Sequence, residues 1–202
     1  MDKVTGIQDR EKLAPRMGLW DSIYSAPNLS RQIYADDTSV KKGIHFLTNS
    51  DISIIEDWGC GYGGVKNYLP PGVQYRGIDG SHSPFADVVA DLELYSSSVD
   101  AIFIRHVLDH NPRWENVLKN ALKSFRKRMV LILFTPYQET TRAIREYPNW
   151  ENTGQSMWDI GFKREDIVSH FQGLSWGAEE NLKTKTGYEV EHIFYLERTS
   201  TR

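Results

Sequence analysis

A single cysteine, Cys60, in a chain of 202 residues excludes an internal disulfide and a cysteine-rich zinc site. No apolar run approaches the about 18 residues that a membrane-spanning helix needs. The opening Met1-Asp2-Lys3-Val4-Thr5-Gly6 has no apolar segment able to serve as a signal peptide. An excess of positive charge is missing too: 24 Lys and Arg stand against 27 Asp and Glu, a formal net charge of −3. That removes the basic footprint on which sequence-independent nucleic-acid binding rests. There is no internal repeat and no low-complexity tract. What is present is ordinary globular composition, 40% hydrophobic and 25% charged, in a length that suits one domain and would cramp two. The expectation is a soluble, cytoplasmic protein with neither a membrane nor a nucleic acid as partner.

Along the chain, the first fifty residues are polar and spotted with aromatics at Trp20, Tyr24 and Tyr34. Residues 20–24 and 39–47 read as short amphipathic helices. From Ile52 the texture changes. Residues 52–58 form a short apolar run stopped by glycines, the signature of a buried parallel strand. Further strands are predicted at 74–79, after the turn Pro70-Pro71-Gly72, and at 87–90, 101–104 and 129–134. Between the last two, Trp114, Val117, Leu118, Ala121, Leu122 and Phe125 recur at helical spacing. Lys123, Arg126, Lys127 and Arg128 gather at the end of that helix, where cations offset its dipole, a phosphate-binding patch being the alternative. After Pro136 a polar stretch leads to a helix at 164–171, closed by Gly173. Two strands follow, from 174 onward and at 188–196. Strands alternating with helices give a mostly parallel sheet covered on both faces, here with an antiparallel pair at one edge.

Asp57-Trp58-Gly59-Cys60-Gly61-Tyr62-Gly63-Gly64 follows the first strand directly. Glycines let this backbone turn sharply and let a ligand approach with no Cβ in the way. Gly59, Gly61 and Gly64 satisfy the G-x-G-x-x-G dinucleotide fingerprint. With Asp57, the set Gly59, Gly61 and Gly63 equally satisfies the acidic-x-G-x-G-x-G loop of S-adenosylmethionine enzymes. Charge separates the two. A pyrophosphate would be repelled by Asp57, whereas the ammonium and sulfonium of S-adenosylmethionine would be attracted. Asp79 ends the second strand, where a carboxylate can accept both ribose hydroxyls. Asp91, followed by Leu92, stands after the third strand, placed to accept from an adenine amine. Each aspartate also has a plain structural reading, Asp79-Gly80 as a turn and Asp91 as a cap. Together at strand ends they favour the cofactor.

Glu56-Asp57-Trp58-Gly59-Cys60-Gly61-Tyr62-Gly63, Gly77-Ile78-Asp79-Gly80-Ser81, Ala90-Asp91-Leu92 and residues 100–110 resemble the class I S-adenosylmethionine-dependent methyltransferases, particularly the small methyltransferase-domain group. The resemblance runs from about Asp51 to Pro136. It implies an α/β, Rossmann-like, seven-stranded, mostly parallel sheet with helices on both faces and a C-terminal antiparallel strand pair. Carried over, Asp57, Gly59, Cys60 and Gly61 would hold the methionine part. Asp79 would serve the ribose, with Gly80 beside it as a further cofactor-binding residue, Asp91 and Leu92 the adenine, and the backbone near Arg105 the methionine moiety. Only a short stretch between Gly64 and Pro70 is left for the family's first helix.

His106-Val107-Leu108-Asp109-His110 also resembles an inverted zinc-peptidase motif, but that pattern has Glu where this chain has Asp109, and no metal is expected. His106, just past the fourth strand, is the candidate general base, with the ordinary imidazole pKa near 6.5 placing an acidic limb at about pH 6–7. His110 is expected to bond nearby backbone at a helix start. Residues 1–50 are expected to form a helical lid over a methyltransferase domain of residues 51–202. Tyr137, Trp150, Trp158 and Phe162 are expected around an acceptor pocket. The reading is transfer of a methyl group from S-adenosylmethionine, with S-adenosylhomocysteine as product, to a small polar acceptor, O-methylation of a sugar or other metabolite being preferred. The alternatives are an NAD-dependent oxidoreductase and a non-catalytic cofactor-binding module on the same fold.

Overall fold

The computed structural model describes residues 17–199, so the first 16 residues of the expected lid and residues 200–202 lie outside the described residues. In chain order come α1 (Asp21–Tyr24), α2 (Thr38–Thr48), β1 (Ile54–Trp58), β2 (Gln74–Asp79), β3 (Val88–Val89), β4 (Val99–Arg105) and α3 (Trp114–Ser124). They are followed by β5 (Phe125–Leu133), β6 (Arg142–Tyr147), β7 (Met157–Gly161), α4 (Arg164–Val168), β8 (Ser175–Lys183) and β9 (Val190–Glu197).

β1 to β5 are parallel, and β9 lies antiparallel between β5 and β8, giving a seven-stranded sheet of order β3-β2-β1-β4-β5-β9-β8. This is the α/β sheet expected, with its antiparallel pair at one edge. β4 and β5 sit at its centre, where Ala101 to Ile104 and Met129 to Leu133 are buried on both faces. α3 lays Trp114, Val117, Leu118 and Ala121 on one face. α2 lays Val40, Ile44 and Leu47 on the other. Burying such a side chain contributes roughly 1.5–3 kcal/mol, so each face is secured mainly by apolar area. Gly43 permits α2 to come that close, since a Cβ there would stand 2.8 Å from the Phe103 ring.

Three details differ from the sequence reading. The helix after the glycine loop is reduced to a single 3₁₀ turn, Gly64–Tyr68, because Pro70 and Pro71 follow at once. α3 ends at Ser124, so Arg126, Lys127 and Arg128 lie on β5 and do not cap the helix. They pair there with Asp100 and Glu197. The polar stretch after Pro136 contains an antiparallel hairpin, β6–β7, whose second strand is buried throughout. Among the described residues no helix is long and apolar enough to cross a membrane.

Candidate cofactor and acceptor site

β1 and β4 are neighbours, and the strand order runs outward from them in both directions. That is the switch point where open α/β sheets leave a crevice beyond their carboxyl ends. The crevice is a cavity of about 490 Å³. All ten residues proposed from the sequence line it: Asp57, Gly59, Cys60, Gly61, Asp79, Gly80, Asp91, Leu92, Arg105 and His106.

The loop after β1 turns with Gly59, Gly61 and Gly63 at φ 75°, 49° and 63°, in the left-handed region. Gly59 is obligatory for a second reason, since a Cβ there would stand 2.2 Å from Val107 Cγ2. The Gly59 and Cys60 amides donate to the Ile78 carbonyl, which pins the loop to β2. Asp57 is buried and accepts from the Tyr75 hydroxyl at 2.8 Å. Burial, with the Asp79 charge adding to it, pushes its carboxyl up to about 7. Asp79 accepts the Gly61 and Ser81 amides at 2.8 and 2.9 Å, and burial raises its carboxyl to about 6 against those bonds. Among the described residues neither carboxylate has a salt-bridge partner. Burial likewise pushes the Cys60 thiol up, which makes it an inert wall and not a nucleophile.

Asp91 accepts the Glu93 amide at 2.9 Å, so its plain structural role is present alongside its place at the cavity. The Arg105 side chain reaches across to Ser39 and Glu191 and donates to the carbonyls of Tyr34 and Asp36. It thereby ties the N-terminal segment to the sheet.

His106 has φ 59°, costly for a residue with a Cβ, and is held there by its amide on the Ile132 carbonyl. Its Nε2 lies 2.6 Å from Glu191 Oε1 on β9. Burial, helped by the Arg105 charge, pushes the imidazole down to about 4, although Glu191 works in the other direction. Burial raises the Glu191 carboxyl, but the His106 hydrogen bond and the Arg105 charge outweigh it and hold the group below the usual range. The pair is therefore a neutral imidazole donating Nε2–H to a carboxylate, and Nδ1 is the nitrogen able to take a proton. The ordinary value near 6.5 expected from the sequence does not survive this burial.

His110 also bonds backbone, but not nearby backbone: its Nδ1 lies 3.0 Å from the Trp158 carbonyl and 3.3 Å from Asp159 Oδ1, both on β7. Two oxygens facing Nδ1 fix the proton there. Asp159 also accepts from the hydroxyls of Tyr147 and Tyr188 at 3.1 and 2.8 Å. Among the described residues no three His, Cys, Asp or Glu side chains come together to hold a metal.

Trp20, Tyr24 and Tyr34 all line the cavity. Trp20 meets the rings of His110 and Trp150, Tyr24 meets Tyr62, and Tyr34 stands edge-on to His106. Of the four aromatics expected around an acceptor, Trp150 alone is at the cavity. Trp158 and Phe162 are core residues, and Tyr137 stacks on His192 at 3.8 Å. Tyr147, Met157 and Asp159 of the hairpin stand there instead. The signal missed was Asp159, a lone carboxylate inside the apolar run Met157-Trp158-Asp159-Ile160. Glu191 had a similar signal, a charge within a strand otherwise buried.

Neither a protein-family model nor a curated protein matches the chain. Solved structures do. The magnesium protoporphyrin IX methyltransferase of Synechocystis PCC 6803 with bound SAM gives a TM-score of 0.58 at 17% identity, over 98% of each chain. The N-terminal domain of EvdMO1 with SAH bound gives 0.61 at 16%, also over 98% of each chain. The Burkholderia thailandensis 1,6-didemethyltoxoflavin-N1-methyltransferase, with 1,6-didemethyltoxoflavin and S-adenosylhomocysteine, gives 0.58 at 11%, over 82% of this chain and 80% of that one. At these identities the likeness is one of fold. The chain has the fold of the class I S-adenosylmethionine-dependent methyltransferases.

Proposed function

We propose that this protein transfers a methyl group from S-adenosylmethionine to the hydroxyl of a small molecule in the cytoplasm, with no nucleic acid or membrane as partner. One observation carries the reading: two buried carboxylates, Asp57 and Asp79, face a single cavity at the ends of β1 and β2 with no salt-bridge partner among the described residues. An ammonium beside Asp57 and ribose hydroxyls on Asp79 would answer both, so the residues present fit this cofactor. A dinucleotide pyrophosphate would add a third negative group to the same loop, which disfavours an NAD-dependent oxidoreductase.

When bound, S-adenosylmethionine supplies a methyl activated by its sulfonium, displaced in line with the C–S electron pair passing to sulfur. The chain aligns the acceptor and excludes water. His106 Nδ1 takes the hydroxyl proton, while Glu191 holds the ring. Trp20, Tyr24 and Tyr34 line the cavity, which supports reading the N-terminal segment as a lid. Calorimetry tests the assignment. S-adenosylhomocysteine should bind with a stoichiometry near one, and NAD should give no heat. Binding of NAD without S-adenosylhomocysteine would overturn it.

A further inference from the structure

The Arg105 guanidinium is a junction with one arm left over. Its Nε and Nη2 grip Glu191 Oε1, both at 3.0 Å, and Nε also donates to Ser39 Oγ at 3.2 Å. Nη2 donates in addition to the carbonyls of Tyr34 and Asp36, at 3.1 and 3.2 Å. Nη1 has no hydrogen-bond partner among the described residues, and it is not sealed inside the protein. Arg105 is also the one Arg or Lys among the described residues that line the cavity. A guanidinium with a spare N–H pair at a cavity is a site for a carboxylate or phosphate.

The neighbouring strand decides between the two. β1 and β4 run parallel with Asp57 opposite Phe103. Ile55 and Phe103 both pack in the cluster under α2. Side chains alternate along a strand, so Asp57 and Arg105, each two residues further on, stand on that same face. Strand geometry puts their Cα atoms about 8 Å apart, a gap that the long Arg side chain can narrow. The Asp57 carboxyl senses the Arg105 charge, which works against its burial. A phosphate drawn to Arg105 would be repelled by Asp57. An anion and a cation on one wall instead match a group with both opposite charges on a single carbon. That group is the α-amino acid end of the cofactor, its ammonium toward Asp57 and its carboxylate toward Arg105.

We propose that Arg105 Nη1 binds the α-carboxylate of the cofactor's methionine end, and that through the same guanidinium this carboxylate secures the N-terminal segment at Tyr34 and Asp36. This rests on the methyl-transfer reading and adds to it a side-chain contact where the family resemblance implied only backbone.

The test is calorimetry with S-adenosylhomocysteine and its decarboxylated analogue, which keeps the adenosine and the ammonium. On the unaltered protein the analogue should bind at least about tenfold more weakly, and a smaller difference would overturn the proposal. Arg105→Lys keeps a cation for Glu191 but has no second nitrogen to offer. It should weaken S-adenosylhomocysteine at least about fivefold and leave the analogue within about twofold of its parent value. Equal losses for both ligands, or no loss for either, would show that Nη1 does not hold the carboxylate. Should that variant misfold, hydrogen exchange on the unaltered protein decides. At saturation S-adenosylhomocysteine should slow amide exchange across residues 31–37 at least about threefold more than the analogue does, and equal protection would overturn the proposal. Binding of neither ligand would sink the methyl-transfer reading and this proposal with it, whereas tight binding of both alike sinks this proposal alone.

Discussion

Asp57 and Asp79 are carboxylates kept in a place that resists their charge, and two substitutions expose the consequence. A carboxylate holding two ribose hydroxyls contributes roughly 2–4 kcal/mol. Asp79→Ala should therefore weaken S-adenosylhomocysteine by about 30-fold or more in calorimetry, and unchanged affinity in a folded variant would remove the ribose assignment. Asp57 tests the opposite side. Its folded value of about 7 lies above the ordinary 3.8, so ionisation in the unliganded fold is unfavourable. The penalty is absent below about pH 4, grows as the pH rises, and is complete above about 7. Asp57→Asn keeps an acceptor for Tyr75 and discards the charge. Its melting temperature should exceed that of the parent by on the order of 5 °C at pH 8, with the gain vanishing near pH 4. Weaker cofactor binding in that stabler variant would be the mark of a functional charge. Equal melting at both pH values would show that Asp57 is not strained.

At the level of elements, β9 and the N-terminal segment each bring something to the site from far away in the chain. β9 lies against β5 and delivers Glu191 to His106 and Arg105. With an acceptor in hand, His106→Ala should lower turnover by about a hundredfold or more while leaving cofactor affinity nearly unchanged. Because burial takes the imidazole down to about 4, the acidic limb due to it should fall near pH 4 and not at 6–7. A loss of only a few-fold would return His106 to a structural role. Segment 17–34 is tied to the β2 end by Gly18 N on the Gly80 carbonyl and Trp20 N on Ser81 Oγ, whereas α2 beyond it is core. Removing residues 1–30 should leave the sheet folded by circular dichroism, with S-adenosylhomocysteine bound at least about tenfold more weakly. Immediate aggregation would show that the segment is part of the fold and not a cover.

For the whole molecule, binding and protonation are linked. An ammonium beside Asp57 favours its anion, so binding near neutral pH releases a proton, and affinity for S-adenosylhomocysteine should drop at least about tenfold from pH 7.5 to 5.5. Calorimetry in buffers of different ionisation enthalpy would show the proton directly, and a flat pH dependence would contradict the linkage. The sequence by itself determined the sheet and named strand-end residues that line the cavity. Both rest on local patterns: short apolar runs, and glycines and carboxylates placed immediately at strand ends, where chain position alone fixes spatial position. The hairpin β6–β7 escaped because its first strand, Arg142–Tyr147, is largely exposed and charged and shows little apolar alternation. Glu191 and Asp159 were legible only as odd charges in buried strands. That they clasp His106 and His110, 85 and 49 residues away, was decided by the tertiary structure. So was the depression of His106, since a pKa depends on what is packed around the ring, and strand pairing across the sheet settles that.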